Sequence, residues 1–498
     1  MIMKYRLLLL PLLAAVTVTA VHADDPYDAF KKQMEEGYSR FSQKTNSEYD
    51  TFRDQINTKY AEFLADPWQE TKKMAPVPAP VNPEPEPVYK PDDDTPSPRQ
   101  PRPVVIEEEI AIPAPAPAPE PIGPIRRDDR SDQKGKLMLF GAQIDYRYPS
   151  LGGFSLSSAG EKDVSRAWQW LAQNLGDGLL QDCLTARDRL ALPDWGYFLM
   201  VNDITGSLKG SGSPEQVLLM GYVLNQSGYM VRFCRDSRCN LHLLFASESV
   251  IYDRYRYEID NRQFYPFTMP EGGVSACNFS TPGERPLSMR LRRCPELPFA
   301  AGVTRNVTVV QHPDLKLTVT TNRNLIDLYD RYPECGATFD SKSKWLIQGE
   351  TPASKEIREQ LYPTLRNAVQ GLSQNEAVNL LLKVCQSFPY AFDNDMWGHD
   401  RVFWMDESWF YPKSDCEDHA INFTRMVRDV LGLDCCLIYY PGHLSAAVAM
   451  TDGTAKGDYF DYNGCRYTVC DATYFYGDTG ETPDQYVGVN AYLIPLKK

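Results

Sequence analysis

The chain has no Cys-x-x-Cys pair and no His-x-x-x-His pair, so the ligand spacings of compact zinc sites are absent. It has no basic excess either: 52 lysines and arginines stand against 66 aspartates and glutamates, a net charge of −14 over 498 residues. That balance argues against a general nucleic-acid binder, which needs a basic face to meet phosphate. Past residue 23 no apolar run is long enough to cross a bilayer.

The first 23 residues read as a secretory signal. Lys4 and Arg6 form the basic start, Leu7 to Val18 the apolar stretch, and Val21-His22-Ala23 a small-residue cleavage site. An exported protein, periplasmic or secreted, is expected. No cysteine follows the cleavage site, which argues against a lipid anchor. Residues 24–73 carry two apolar stripes at spacings of three and four: Phe30, Met34, Tyr38 and Phe41, then Tyr49, Phe52, Ile56, Tyr60 and Phe63. They predict a helix or helical hairpin that packs on itself or on the main body, with docking to a protein partner as the alternative. Residues 74–135 contain PVPAPVNPEPEPV and AIPAPAPAPEP. Proline at that density favours extended polyproline II and predicts a stiff spacer that holds the folded part away.

A chain of this length exceeds one ordinary core, so two or three domains are expected. Residues 136–300 predict a mixed α/β domain: DVSRAWQWLAQNL and SPEQVLLMGYVLNQSGY are helical in pattern, and MVRFC, NLHLLFAS, VIYDRYRYEI and QFYPFT read as strands. Residues 301–345 predict a β connection through RNVTVV and LKLTVTT. Residues 346–498 begin helical, with Pro363 set to break the first helix, and end in strand patterns. The fold class is α+β. Export permits disulfides among the 12 cysteines. Cys234/Cys239 and Cys465/Cys470 each flank a short stretch, and buried free thiols are the equal alternative. Cys435 and Cys436 are strand neighbours that should face opposite sides.

One stretch carries the chemistry, Tyr411 to Val430, YPKSDCEDHAINFTRMVRDV. Ser414 and Glu417 form a capping box ahead of Cys416, Ala420, Phe423, Val427 and Val430 at helical spacing, and Gly432 follows as a stop. Cys416 then lies in a first helical turn, where free N–H groups and the helix dipole favour an anion, so a thiol of lowered pKa is expected. Asp415, Glu417 and Asp418 act against this by like charge. His443 opens the strand-like HLSAAVAM, 27 residues on (443 − 416), and Asp471 follows an Asn463-Gly464 hairpin turn, 28 residues further (471 − 443). A cysteine nucleophile requires such partners: an imidazole to take its proton and a carboxylate to hold the imidazole. His419 shares the cysteine's helix and is expected behind the site or on the surface. Asp393-Asn394-Asp395 lacks the further ligands of an EF-hand and reads as a solvated loop. No metal and no cofactor is expected.

SDCEDHA, GLD, YPGHLSAAV and YTVCDATY, in this order, resemble the transglutaminase-like superfamily of papain-like cysteine enzymes, and FPYAFDNDMWGHDRVFWMDESWFYP is similar to the lead-in of its bacterial members. The resemblance spans roughly Leu346 to Ile494. Ala472 departs from it, where bacterial relatives often carry proline. The resemblance implies a papain/transglutaminase-like domain and acyl transfer at an amide of a peptide or protein substrate. Cys416 attacks, His443 serves as base and then acid, Asp471 orients it, and the Cys416 N–H is one oxyanion donor. Trp404, Trp409 and Tyr411 are candidates for the second. Hydrolysis is weakly favoured over cross-linking, since many bacterial relatives are thought of as hydrolases. The alternative is a silent fold of this type used as an envelope protein-binding module.

Gly212 to Thr268 repeats the order of that region. The helix-ending glycines Gly228 and Gly432 differ by 204, the hairpin asparagines Asn261 and Asn463 by 202, and His242 and His443 by 201. Near-constant offsets predict a degenerate second copy, with Gly212 at the cysteine's place and Met269 at the carboxylate's, while the unequal offsets leave the match of His242 to His443 open; a common helix–strand–strand–hairpin order is the alternative.

Overall fold

The computed structural model describes residues 51–61, 75–79, 100–125 and 130–496, with short breaks at 52, 60, 112, 115–116, 253 and 277–279. Residues 1–23, for which a secretory signal is expected, and most of segment 24–73 lie outside the described residues; residues 53–59 are helical.

The described elements begin with strand β1 (Ile106–Glu109) and the hairpin β2 (Gln133–Leu139) and β3 (Ala142–Tyr148). Four helices follow, α1 (Glu161–Asn174), α2 (Gly178–Arg189), α3 (Asp194–Lys209) and α4 (Pro214–Gln226). Then come β4 (Val231–Arg235), β5 (Leu241–Ala246), β6 (Val250–Ile251), β7 (Tyr257–Ile259), β8 (Arg262–Pro266) and β9 (Ser275–Ala276). The hairpin β10 (Ala301–Thr308) and β11 (Lys316–Asn322) leads to α5 (Arg323–Tyr329) and the short β12 (Cys335–Gly336). A helical stretch runs through α6 (Leu346–Glu350), α7 (Lys355–Gln360), α8 (Tyr362–Ala368), α9 (Gln374–Gln386), α10 (Asp393–Met396), α11 (Met405–Phe410) and α12 (Cys416–Met426). The chain ends in β13 (Cys435–Tyr440), β14 (His443–Ala449), β15 (Tyr459–Tyr462), β16 (Cys465–Cys470) and β17 (Ala491–Pro495). Leu361 separates α7 from α8, and Pro363 lies in the first turn of α8, where its missing N–H and its ring prevent α7 from running on. No described helix is long and apolar enough to cross a membrane.

The architecture is mixed α+β. A five-stranded sheet has the order β7-β8-β5-β4-β9, and a six-stranded sheet the order β1-β17-β13-β14-β16-β15. α4 packs on the first and α12 on the second, and one hydrophobic cluster runs from Ala61 to Ile494 through both.

The two sheets share more than composition. After α4 the strands pair β4-β5-β8-β7, and after α12 they pair β13-β14-β16-β15, antiparallel throughout, so order and connectivity are the same. Both outer hairpins turn on two residues of positive φ, Asp260-Asn261 and Asn463-Gly464. The pairs Ala246↔Phe264 and Ala449↔Tyr467 differ by 203 in both members, as do Tyr257↔Phe264 and Phe460↔Tyr467. Val231 and Cys435, on the first strands, differ by 204. This register corrects the place given to Met269 and decides the open match at the histidine. At 203, His443 corresponds to Asn240 and Asp471 to Thr268; His242 lies two residues further along its strand. The three-residue loop after Asp236 is one longer than Pro441-Gly442, which displaces any alignment made on the histidines.

The proline-rich stretch is not a free spacer where it is described. Between Pro103 and Pro113 the chain reads VVIEEEIAI, a proline-free run that can donate ladder hydrogen bonds. β1 pairs in parallel with β17 at one edge of the six-stranded sheet. Val104 N–H donates to Tyr459 O at the other edge, 2.7 Å away. The stretch thereby closes the sheet on itself.

Every described cysteine is a free thiol, Cys234, Cys239, Cys465 and Cys470 included. Cys465 and Cys470 lie on one extended strand, whose rise puts positions five apart about 16 Å from each other, beyond disulfide reach. Cys435 and Cys436 pack into different clusters on opposite faces.

Candidate active site

α12 starts one residue later than its sequence pattern predicts. Asp415, not Ser414, precedes the helix; its N–H donates to Asp418 Oδ2 at 3.4 Å, and Asp418 Oδ1 accepts from Phe403 N–H at 2.7 Å. Glu417 is not the capping partner. Its Oε2 accepts from the Cys416 thiol at 3.1 Å. The helix is buried on all sides instead of along one face, because β13 and β14 lie beneath it while α6, α9 and α11 pack around it.

The turn Pro441-Gly442 delivers His443 as the first residue of β14, and Asp471 is the residue after β16. Since β14 and β16 are neighbours, the two side chains meet: His443 Nε2 donates to Asp471 Oδ2 at 2.6 Å. Asp471 Oδ1 accepts from Thr473 N–H, the Thr473 hydroxyl and Tyr474 N–H, each at 3.0 Å. Burial works to raise this carboxyl, but the charge and hydrogen bond of His443 and the Thr473 donors outweigh it and hold it below its ordinary range. The imidazole stacks on the Tyr486 ring at 5.0 Å. Cys416 and His443 line one cavity of about 20 Å³ with Trp345, Gly442 and Leu444, room for about one water-sized particle. The structure thus bonds two of the three sequence-selected residues to each other and puts the third on a shared cavity.

No protein-family model matches the chain, and no curated protein matches it.

The electrostatics depart from the helix-dipole expectation. Burial pushes the Cys416 thiol well above its ordinary range, and the charges of Glu417 and Asp415 add to this; a hydrogen bond with Leu444 N–H acts the other way without overcoming them. The dipole loses because carboxylates surround the helix start in a dry site, where like charge is felt strongly.

Asp393 belongs to this site and not to a solvated loop: it is 4% exposed, at the start of α10. Asp393, Asp400 and Glu417 each bring an oxygen within 4.8 Å of one another, as do Asp393, Asp415 and Asp418. Burial, with Glu417 nearby, pushes the Asp393 carboxyl up to about 8. Lys344 Nζ lies 2.7 Å from Asp400 Oδ2. Asp415, its carboxyl raised by burial, hydrogen-bonds to the Glu417 carboxylate, while Asp393 Oδ1 is buried with no hydrogen-bond partner. Convergent carboxylate oxygens of this kind fit a hard divalent cation, calcium or magnesium.

His419 is buried, not on the surface; it packs near Phe388 and Tyr390, and burial lowers its pKa to about 4. Two of the oxyanion candidates are engaged elsewhere. Trp404 Nε1 donates to Thr351 Oγ1 at 3.2 Å, and the Tyr411 hydroxyl to Asp330 Oδ1 at 2.7 Å. Trp409 is buried away from the cavity lining. The residue that sequence reasoning missed is Trp345. It lines the cavity, and its indole N–H is buried without a partner. It lies 71 positions before the cysteine (416 − 345), in no motif that could have singled it out.

Proposed function

We propose that the chain is an exported, transglutaminase-like cysteine enzyme that transfers or hydrolyses acyl groups at peptide or protein amides. The observation that carries this reading is the His443–Asp471 bond at the cavity that Cys416 lines. With Nε2 committed to Asp471, proton exchange with the thiol runs through Nδ1. Cys416 gives its proton to His443 as sulfur bonds to the amide carbon. The Cys416 N–H and the Trp345 indole N–H donate to the resulting oxyanion. His443 returns the proton to the departing amine as the carbon–nitrogen bond breaks. Water or a second amine then attacks the thioester, with His443 accepting its proton and releasing it to the leaving thiolate. Asp471 keeps the imidazole oriented and stabilises its charged form. A divalent cation held by Asp393, Asp400, Asp415, Glu417 and Asp418 would supply positive charge beside the thiol.

The shared strand order and the 203-residue register support reading Gly212–Thr268 as a second copy of the catalytic unit. With Gly212, Asn240 and Thr268 at the three positions, that copy lacks nucleophile, base and carboxylate.

The test is a digest of a mixed peptide library, read by mass spectrometry for hydrolysis and for amine transfer. Cys416→Ala should abolish turnover, and His419→Gln should retain most of it. Equal turnover with and without the thiol would exclude this mechanism. The resting thiol's bond to Glu417 favours one other reading, a silent module that binds protein; a library left intact by the wild type but bound by it would select that reading.

A further inference from the structure

Beside the Cys416 cavity lies a larger one of about 310 Å³, at the lower end of the size of small-ligand pockets. Asp400 lines both, and Lys344 on the larger is followed in the chain by Trp345 on the smaller. One wall is aromatic: Tyr329 stacks on Trp404 at 4.3 Å, and Tyr332 meets the same indole edge-on at 5.2 Å. Tyr252 comes from the other sheet's unit, just after β6, and its N–H donates to Glu334 O at 2.9 Å.

The charges in this lining are paired with one another. Lys344 meets Asp400 at 2.7 Å, Arg401 meets Asp330 at 2.7 Å, and His399 meets Glu334 at 3.1 Å. An ionic ligand would have to break one of these pairs. Neutral hydrogen-bonding capacity is what remains. The Tyr252 and Tyr332 hydroxyls and Gln348 Oε1 are buried with no partner, and Tyr252 and Gln348 are only 4% and 8% exposed. Buried polar atoms are rarely left unpaired in native proteins. Two hydroxyls able to donate to a carbonyl, and an amide oxygen able to accept from an N–H, are the complement of a peptide group. The aromatic wall suits the carbon skeleton beside it.

We infer that this cavity is a subsite for the peptide flank of the substrate, which it holds through uncharged amide groups while the neighbouring amide sits at Cys416. The word substrate rests on the acyl-transfer reading; the binding does not. Titration calorimetry should use the full chain carrying Cys416→Ala, so that nothing is consumed, with a mixture of acetyl- and amide-capped hexapeptides that lack charged side chains. The expected result is binding that weakens by about ten-fold or more when Tyr252→Phe and Gln348→Met are added, as two hydrogen bonds are lost. Tyr332→Phe, which keeps its ring, gives the same comparison should thermal unfolding show the double variant to be misfolded. No peptide binding, undiminished affinity in these variants, or binding of neutral oligosaccharide in place of peptide would overturn the proposal. Peptide that binds here but is never converted by the unmodified chain would defeat the catalytic reading and leave the subsite standing. Turnover with affinity indifferent to Tyr252, Tyr332 and Gln348 would do the reverse.

Discussion

Trp345 lines the cavity that Cys416 and His443 share, and its indole N–H is buried with no partner among the described residues. Trp345→Phe keeps most of the ring and removes the donor. If the proton meets the oxyanion, kcat should fall by about 10²–10³ with KM little changed, in line with the loss of one such donor. Steady-state kinetics on a peptide from the library would show it, and an unchanged kcat would remove Trp345 from the mechanism. That His443 meets Asp471 and shares a cavity with Cys416 was legible in the sequence, because each residue sits in a short motif at a spacing that lets a helix and two strands converge. Trp345 was not, since only tertiary packing brings it to the cysteine. The direction of the thiol's pKa was misjudged for a related reason: the pattern shows a helix start but not how deeply that start is buried or how many carboxylates converge on it.

At the scale of elements, the acid cluster joins the start of α12 to α10. Its carboxyls are buried against one another and Asp393 Oδ1 has no partner, a costly arrangement unless something positive joins it. Millimolar calcium should therefore raise the melting temperature by several degrees, by binding the folded state, and a chelator should reverse this. Asp393→Asn should shrink the response. Identical melting in calcium and chelator for both proteins would show that no cation is held there. Helix α11 carries a separate, pH-linked feature. Burial raises the Asp406 carboxyl from 3.8 to about 6, so its protonated form is favoured in the fold. Its contribution to stability is complete below pH 3.8 and is lost as the pH rises through 6, a difference of about 3 kcal/mol at 1.36 kcal/mol per unit. Against Asp406→Asn, denaturant unfolding of the wild type should weaken across that window and level off above it; parallel profiles would contradict this. Elements with strong local signals were legible, including α4 and the Asn463-Gly464 hairpin. The shared strand order of the two sheets was legible as a set of offsets, but a one-residue loop difference hid the strand register until strand pairing supplied it.

Across the whole molecule, the stretch read as a spacer turns out to tie the sheet edges together. Composition favoured polyproline II, but composition averages over VVIEEEIAI, whose proline-free run finds two open edges. The described residues from Arg53 onward form one compact unit, and residues 102–110 contribute to it through long-range bonds: Val104 N–H to Tyr459 O, Ile110 N–H to Leu493 O at 2.8 Å, and the β1–β17 ladder. Further along, Ile122 N–H donates to Gln226 O at 3.2 Å. The chain passes so near Gly228 that a Cβ there would sit 1.8 Å from Glu120 O. Edge strands left open invite pairing with other chains, and this strap removes that exposure from the six-stranded sheet. Ile110 is 1% exposed. Ile110→Ala should therefore lower the unfolding free energy by about 2–5 kcal/mol, as for other buried large-to-small changes. A free spacer would predict a change within about 0.5 kcal/mol. Hydrogen exchange gives an independent reading of the same claim. The amides of Val104, Ile110 and Ile122 should be protected in the native protein, and exchange at unprotected rates at all three would return this stretch to the role of a tether.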